Sequence, residues 1–110
     1  MQTLMNESEF HQRVDAILLS LESAFDNVDA DIDCELSSGI LTITFENSSK
    51  IIVNRQTPNR EIWVAAKSGG FHFRYVDNVW RNTRGTETLA ALLTNVIAQQ
   101  SGCEVAINFA

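Results

Sequence analysis

Apolar residues recur through the first part of the chain at Phe10, Val14, Ile17, Leu18, Leu21, Phe25 and Val28, the spacing of an amphipathic helix with one buried stripe. Asn6 followed by Glu9 is a capping pair, with Asn in the place of the usual Ser or Thr, and marks the helix start. From Asp31 the period changes to two: Ile32, Cys34 and Leu36 alternate with Asp33 and Glu35, as in a half-buried strand. Ser38-Gly39 turns the chain into Ile40–Phe45, Asn47-Ser48-Ser49 into Lys50–Gln56, and Pro58-Asn59 into Glu61–Lys67. Gly69-Gly70 leads to Phe71–Val76, and Asp77-Asn78 to a short Val79–Asn82. Close strands joined by short turns predict an antiparallel meander. A second helix is expected from about Thr86, with Leu89, Leu92, Leu93, Val96 and Ile97 on one stripe and Ser101-Gly102 as its stop. Val105, Ile107 and Phe109 alternate in the tail, which is expected to pack down in extended form.

Each helix has a single apolar stripe and the sheet has one apolar face. The economical arrangement is an α+β two-layer sandwich, with both helices on one face of a five- to six-stranded antiparallel sheet. At 110 residues the chain is one domain, residues 1–110. No apolar run approaches the roughly 20 residues that span a bilayer, and the N-terminus has neither a secretory nor a transit pattern. A cytoplasmic protein is expected. Cys34 and Cys103 are then apolar fillers rather than a disulfide, and without a CxxC pair or a close Cys/His set a zinc site is not expected.

Charge adds the first functional signal. The net charge is −6, and residues 7–35 hold nine acids against the single base Arg13. The rest of the chain has five acids and seven bases. That distribution argues against nucleic acid and for cations or a basic protein surface. On a helix, Asp15, Glu22, Asp26 and Asp29 fall within roughly 60° of one another, beside the buried stripe. Asp31, Asp33 and Glu35 continue the row on the outward face of the next strand, giving one acidic ridge. Like charges at Glu22 and Asp26 cost a helix about 0.2–0.5 kcal/mol, and carboxylates near a helix C-terminus are unfavourable as well. An arrangement that lowers stability is a candidate site. Carboxylate oxygens suit hard divalent cations and iron; the spacing matches no EF-hand, so binding is expected to be weak and exchangeable.

Strand parity gives a second candidate surface. In Glu61–Lys67 the positions Ile62, Val64 and Ala66 belong inside, and Trp63 shares the solvent side with Glu61 and Lys67. Asn54 and Gln56, with Thr42 and Thr44, fall on that helix-free face. A Trp ringed by amides is a typical interface anchor.

These residues also carry a resemblance. Leu41–Asn47, Lys50–Pro58 with its Asn54-Arg55-Gln56-Thr57-Pro58 core, and Ile62-Trp63-Val64-Ala65 resemble the signature of the frataxin family. Asn6–His11, Ile32–Glu35 and Gly69–Phe73 are similar to its bacterial branch, and the match runs from about residue 6 to 100. The resemblance implies a role in iron–sulfur cluster assembly, with weak binding of Fe2+ and Fe3+ at Glu22, Asp26, Asp29, Asp31, Asp33 and Glu35. It implies contact with the cysteine desulfurase and its iron–sulfur scaffold protein through Asn54, Gln56, Trp63, Glu22 and Asp26, and regulation of that complex as an iron sensor or as an iron donor. A monomer is expected without iron, and association into oligomers with it. The chain departs from the bacterial pattern at Ser23 and Asn27, where second acids are expected, and Val28–Asp31 looks shortened. His11 and His72 are read as surface histidines rather than ligands.

Other function classes fit less well. A ferroxidase needs ligands for two irons in a defined geometry, such as paired Glu-x-x-His motifs, and the chain has none. No Ser/His or Cys/His set marks a hydrolase, so no enzymatic activity is expected. An acidic inhibitor of a basic partner, with no metal role, fits the charge map but leaves the Asn54–Trp63 segment unexplained.

Overall fold

A computed structural model of the chain describes residues 5–26 and 32–102. Helix α1 (Glu7–Asp26) leads into six strands, β1 (Ile32–Ser37), β2 (Ile40–Phe45), β3 (Lys50–Gln56), β4 (Glu61–Ala66), β5 (Gly69–Val76) and β6 (Val79–Asn82). Helix α2 (Leu89–Ser101) follows. The strands pair in chain order as one antiparallel sheet. α1 lies over β1 and β2, and α2 over β6. This is the two-layer sandwich expected from the sequence, with six strands. No described helix is long and apolar enough to cross a membrane.

Local chemistry sets the boundaries. Asn6 Oδ1 accepts from the Glu9 N–H at 2.8 Å, which caps α1 as its sequence predicts. Ser38-Gly39 and Asp77-Asn78 both adopt positive φ at successive residues, the geometry of tight hairpin turns. α2 starts later than its pattern suggests. Thr88 is its cap, accepting from the Ala91 N–H at 3.2 Å. Glu87 and Thr88 are held to the sheet instead: the Glu87 carbonyl accepts from the Asn82 N–H, and Thr88 bridges to Arg81. Those bonds use backbone that a helix from Thr86 would need. Gly102, at φ 77°, ends α2, and its N–H returns to the Ala98 carbonyl.

The core fills the space between the layers. Phe10, Val14, Leu18, Leu21 and Phe25 of α1 and Leu89, Leu92, Leu93, Val96 and Ile97 of α2 are buried against Leu41, Ile43, Ile51, Val53, Ile62, Val64 and Phe73 of the sheet. Ile17 is only half-buried, at the rim of the α1 stripe. Val28, Cys103 and the alternating tail lie outside the described residues.

Gln100 continues the α2 stripe of Leu92, Leu93, Val96 and Ile97 and is buried with it, a polar side chain in an apolar row. Its Oε1 accepts from the Lys67 N–H at 2.9 Å, and its Nε2 donates to Ser49 Oγ at 3.0 Å and to the Lys50 carbonyl at 3.2 Å. Asn47 Nδ2 donates to the Gln100 carbonyl at 2.8 Å. The end of α2 is thereby tied to the β2–β3 and β4–β5 turns. Gln100→Ala leaves the Lys67 N–H and Lys50 carbonyl without these partners, and a loss of about 1–3 kcal/mol is expected. Chemical denaturation measures it, and hydrogen exchange at Lys67 should quicken more than at Val64.

Candidate functional site

Because α1 ends beside the start of β1, its last carboxylates overhang the edge strand. Glu22 and Asp26 stand close enough to Cys34, on the helix side of β1, to act on its thiol. Burial first, then the charges of Glu22 and Asp26, push that thiol up from 9.0 to about 11. Asp33 and Glu35 point the other way. Their register partners are Thr44 and Thr42, so they stand on the helix-free face of the sheet. The described acids of the expected ridge therefore flank both sides of one edge strand. Glu22 is half-buried, whereas Asp26, Asp33 and Glu35 are exposed. None of the four is ion-paired with another described residue. Asp29 and Asp31 lie outside the described residues. Among the described residues no three His, Cys, Asp or Glu side chains converge to hold a metal ion.

The Cys34 thiol reports the local field. It should stay protonated at neutral pH and react slowly with an alkylating agent. Converting Glu22 to Gln and Asp26 to Asn removes two of the three causes, so the pH of half-maximal alkylation should fall. Because the native thiol holds its proton above pH 9, this group's contribution to stability is present below pH 9 and is lost as the pH rises towards 11.

Asp15 belongs to the same helical row in sequence, but the fold uses it differently. Its carboxylate pairs with Arg55 Nη2, and Arg55 Nη1 meets His11 Nδ1 at 2.7 Å. Arg55 is at the end of β3 with the parity of buried Ile51 and Val53, so its side chain reaches towards α1 and links the layers. His11 Nε2 lies 3.7 Å from Glu7. This cluster was not foreseen from the sequence, where Arg55 reads as one residue of a motif.

On the open face, the register places Asn54 opposite Trp63 and Gln56 opposite Glu61. Trp63, Asn54, Gln56, Thr42 and Thr44 are all half-buried. The parity that puts Trp63 here is as expected, but Glu61 is not in water. It is 7% exposed, because Arg74 and His72 of β5 cover it. Arg74 Nη2 donates to Glu61 Oε2 at 2.9 Å, and His72 Nδ1 lies 3.3 Å from Oε1. Trp63 itself leans over Gly70: its Nε1 stands 3.2 Å from the position a Cβ would take there. A side chain at residue 70 would press on the indole, which would have to give by a few tenths of an ångström.

The model of the frataxin-like domain family matches residues 3–103. The chain belongs to the frataxin family. It is 53% identical over 104 residues to the iron-sulfur cluster assembly protein CyaY of Paraburkholderia phymatum, covering 94% of this chain and 98% of that protein. It is 56% identical over 99 residues to the protein of the same name from Paraburkholderia xenovorans, covering 89% and 93%. Among solved structures, frataxin from Psychromonas ingrahamii superposes with a TM-score of 0.87 at 33% identity, covering 94% of this chain and 99% of that one. Trimeric yeast frataxin complexed with ferrous iron gives 0.68 at 27% identity, covering 93% and 91%. The family's bacterial relatives are thus named for iron–sulfur cluster assembly, and a solved yeast member was captured with iron.

Proposed function

We propose that the protein is a non-enzymatic, iron-binding component of iron–sulfur cluster assembly. It holds Fe2+ or Fe3+ weakly at the carboxylates Glu22, Asp26, Asp29, Asp31, Asp33 and Glu35. It regulates the cysteine desulfurase and its scaffold through that edge and through Asn54, Gln56 and Trp63. The observation that carries this reading is the set of carboxylates on both flanks of β1 that have no ion pair among the described residues. Their mutual repulsion is relieved by a cation or by a basic protein surface, and hard oxygen donors facing water suit exchangeable binding of either iron state. The two ligands compete for one charge. Iron bound at the edge reduces its attraction for a basic patch, so the desulfurase contact responds to iron.

Calorimetric titration with the cysteine desulfurase, at low and high salt and with and without Fe2+, tests the proposal. Micromolar binding that weakens with salt and changes with Fe2+ is the expected result. Salt-sensitive binding that ignores iron would instead make the protein an acidic inhibitor of a basic partner. Iron oxidation faster than the uncatalysed rate would make it an enzyme.

A further inference from the structure

The open sheet face also carries a region of opposite charge. The register aligns Gln56, Glu61, Arg74 and Arg81 in one cross-strand row. Arg74 and Arg81 are direct antiparallel neighbours, and like charges so placed destabilise a sheet. Glu61 serves this row with one carboxylate, whose Oε2 already accepts from Arg74 and whose Oε1 lies 3.3 Å from His72 Nδ1. Arg81 turns to a neutral acceptor, the Thr86 carbonyl at 2.7 Å, and forms no ion pair among the described residues. Arg84 follows, exposed, in the loop after β6. With His72, Gly70 and Thr83 it lines a depression of about 430 Å³. Trp63 leans over Gly70, one of the residues that line the depression. The region therefore holds an aromatic anchor and three arginines against two carboxylates, Glu61 on Arg74 and Glu87 on Asn82, in a chain whose net charge is −6.

We propose that the β4–β6 end of the open face docks an acidic segment of a partner protein. Trp63 supplies the apolar contact, and Arg81 and Arg84 pair with the partner's carboxylates, beside Arg74, which Glu61 already holds. The inference rests on the reading of Trp63, Asn54 and Gln56 as a contact surface and adds the charge of what they meet. Guanidinium groups match carboxylates in a planar, two-pronged geometry and tolerate desolvation better than ammonium groups. A short acidic segment fits better than a nucleic acid. Asp33 and Glu35 stand on the same face, three strands or roughly 14 Å from β4, and would repel any polyanion running across it, so the site suits a short segment and not an extended phosphate backbone. The molecule then offers partners two complementary edges, acidic at β1 and basic at β5–β6.

The probe is a short Glu- and Asp-rich peptide, titrated into isotope-labelled protein at low salt, with a short oligothymidylate in parallel. The peptide is expected to shift the Trp63 indole signal and the amides of His72, Arg74, Arg81 and Arg84. Arg81→Glu and, separately, the fully surface variant Arg84→Glu should each weaken it about tenfold, equal to about 1.4 kcal/mol. Shifts confined to other parts of the molecule, unchanged affinity in both variants, or tighter binding of the oligothymidylate would overturn the inference. Scaffold binding by Trp63→Ala separates the two readings. If Trp63→Ala loses the scaffold while both arginine variants keep scaffold and peptide, the contact surface stands and its acidic partner does not. If the arginine variants lose the peptide while Trp63→Ala keeps the scaffold, the basic patch stands and the contact-surface reading fails.

Discussion

Reversing Asp26 and Asp29 together to Lys is expected to abolish binding of the cysteine desulfurase and leave the fold intact. Asp26 is the last residue of α1, exposed, and four residues from Glu22. A carboxylate there opposes both its neighbour and the negative end of the helix dipole. Lys at that position removes both penalties, so the melting temperature should hold or rise slightly. Binding should move the other way. Each reversal converts an attraction to a basic surface into a repulsion, worth roughly 1–2 kcal/mol at a partly hydrated interface. Two of them lower the affinity about a hundredfold or more, beyond the range in which micromolar binding is detected. Calorimetry beside a thermal melt reads both quantities. Normal binding by the double mutant would show that the acidic edge is not the contact, whatever its affinity for iron.

The same edge shows how far sequence carries and where it stops. Single-element patterns were legible: the α1 stripe, the Asn6 cap, the hairpin turns and the alternation that puts Trp63 on the open face all depend on near neighbours. Parity, however, assigns a face and says nothing of what covers it. Glu61 shares the face of Trp63, yet it is buried, because its cover comes from Arg74 and His72 on the next strand. Only the β4–β5 register brings them together. Spacing puts Gln100 on the α2 stripe, but its partners lie 33 to 53 residues away, so periodicity assigns its face and is silent on what it bonds. Asp15 looks like a ridge residue until Arg55, on β3, is seen to pair with it. The delayed start of α2 has the same origin: helix propensity is local, and the bonds from Glu87 and Thr88 to β6 are not. The frataxin signature was legible because it is a contiguous string, Asn54 to Trp63, in which a turn and two strand faces are fixed together.

Phe10→Ala should be the most destabilising of the substitutions considered. Phe10 is 0% exposed. Its ring meets Trp80 of β6 edge-on, with centroids 6.2 Å apart, and Trp80 in turn packs against Tyr75 at 5.3 Å. Arg13, one turn further along α1, stacks over Tyr75 at 4.5 Å and donates to its hydroxyl at 3.1 Å. The first turns of α1 are therefore joined to the β5–β6 hairpin by an aromatic cluster whose innermost member is Phe10. Truncation leaves a cavity that these rings cannot close without losing their mutual contacts, at a cost of about 3–5 kcal/mol. Against a total of about 5–15 kcal/mol for a domain of this size, that is a large share. The melting temperature should fall by roughly 15–30 °C, and the denaturation midpoint should drop with little change in slope. A fall of only a few degrees would mean that the start of α1 is not docked on β6 through this ring. Phe10 lies on the buried stripe, on the opposite side of α1 from Asp26, so the molecules that remain folded in the cold should still bind the desulfurase. Charge reversal at Asp26 and Asp29 removes binding and spares stability, and truncation at Phe10 does the reverse. A variant that lost both together would mean that the acidic edge depends on the packing beneath it.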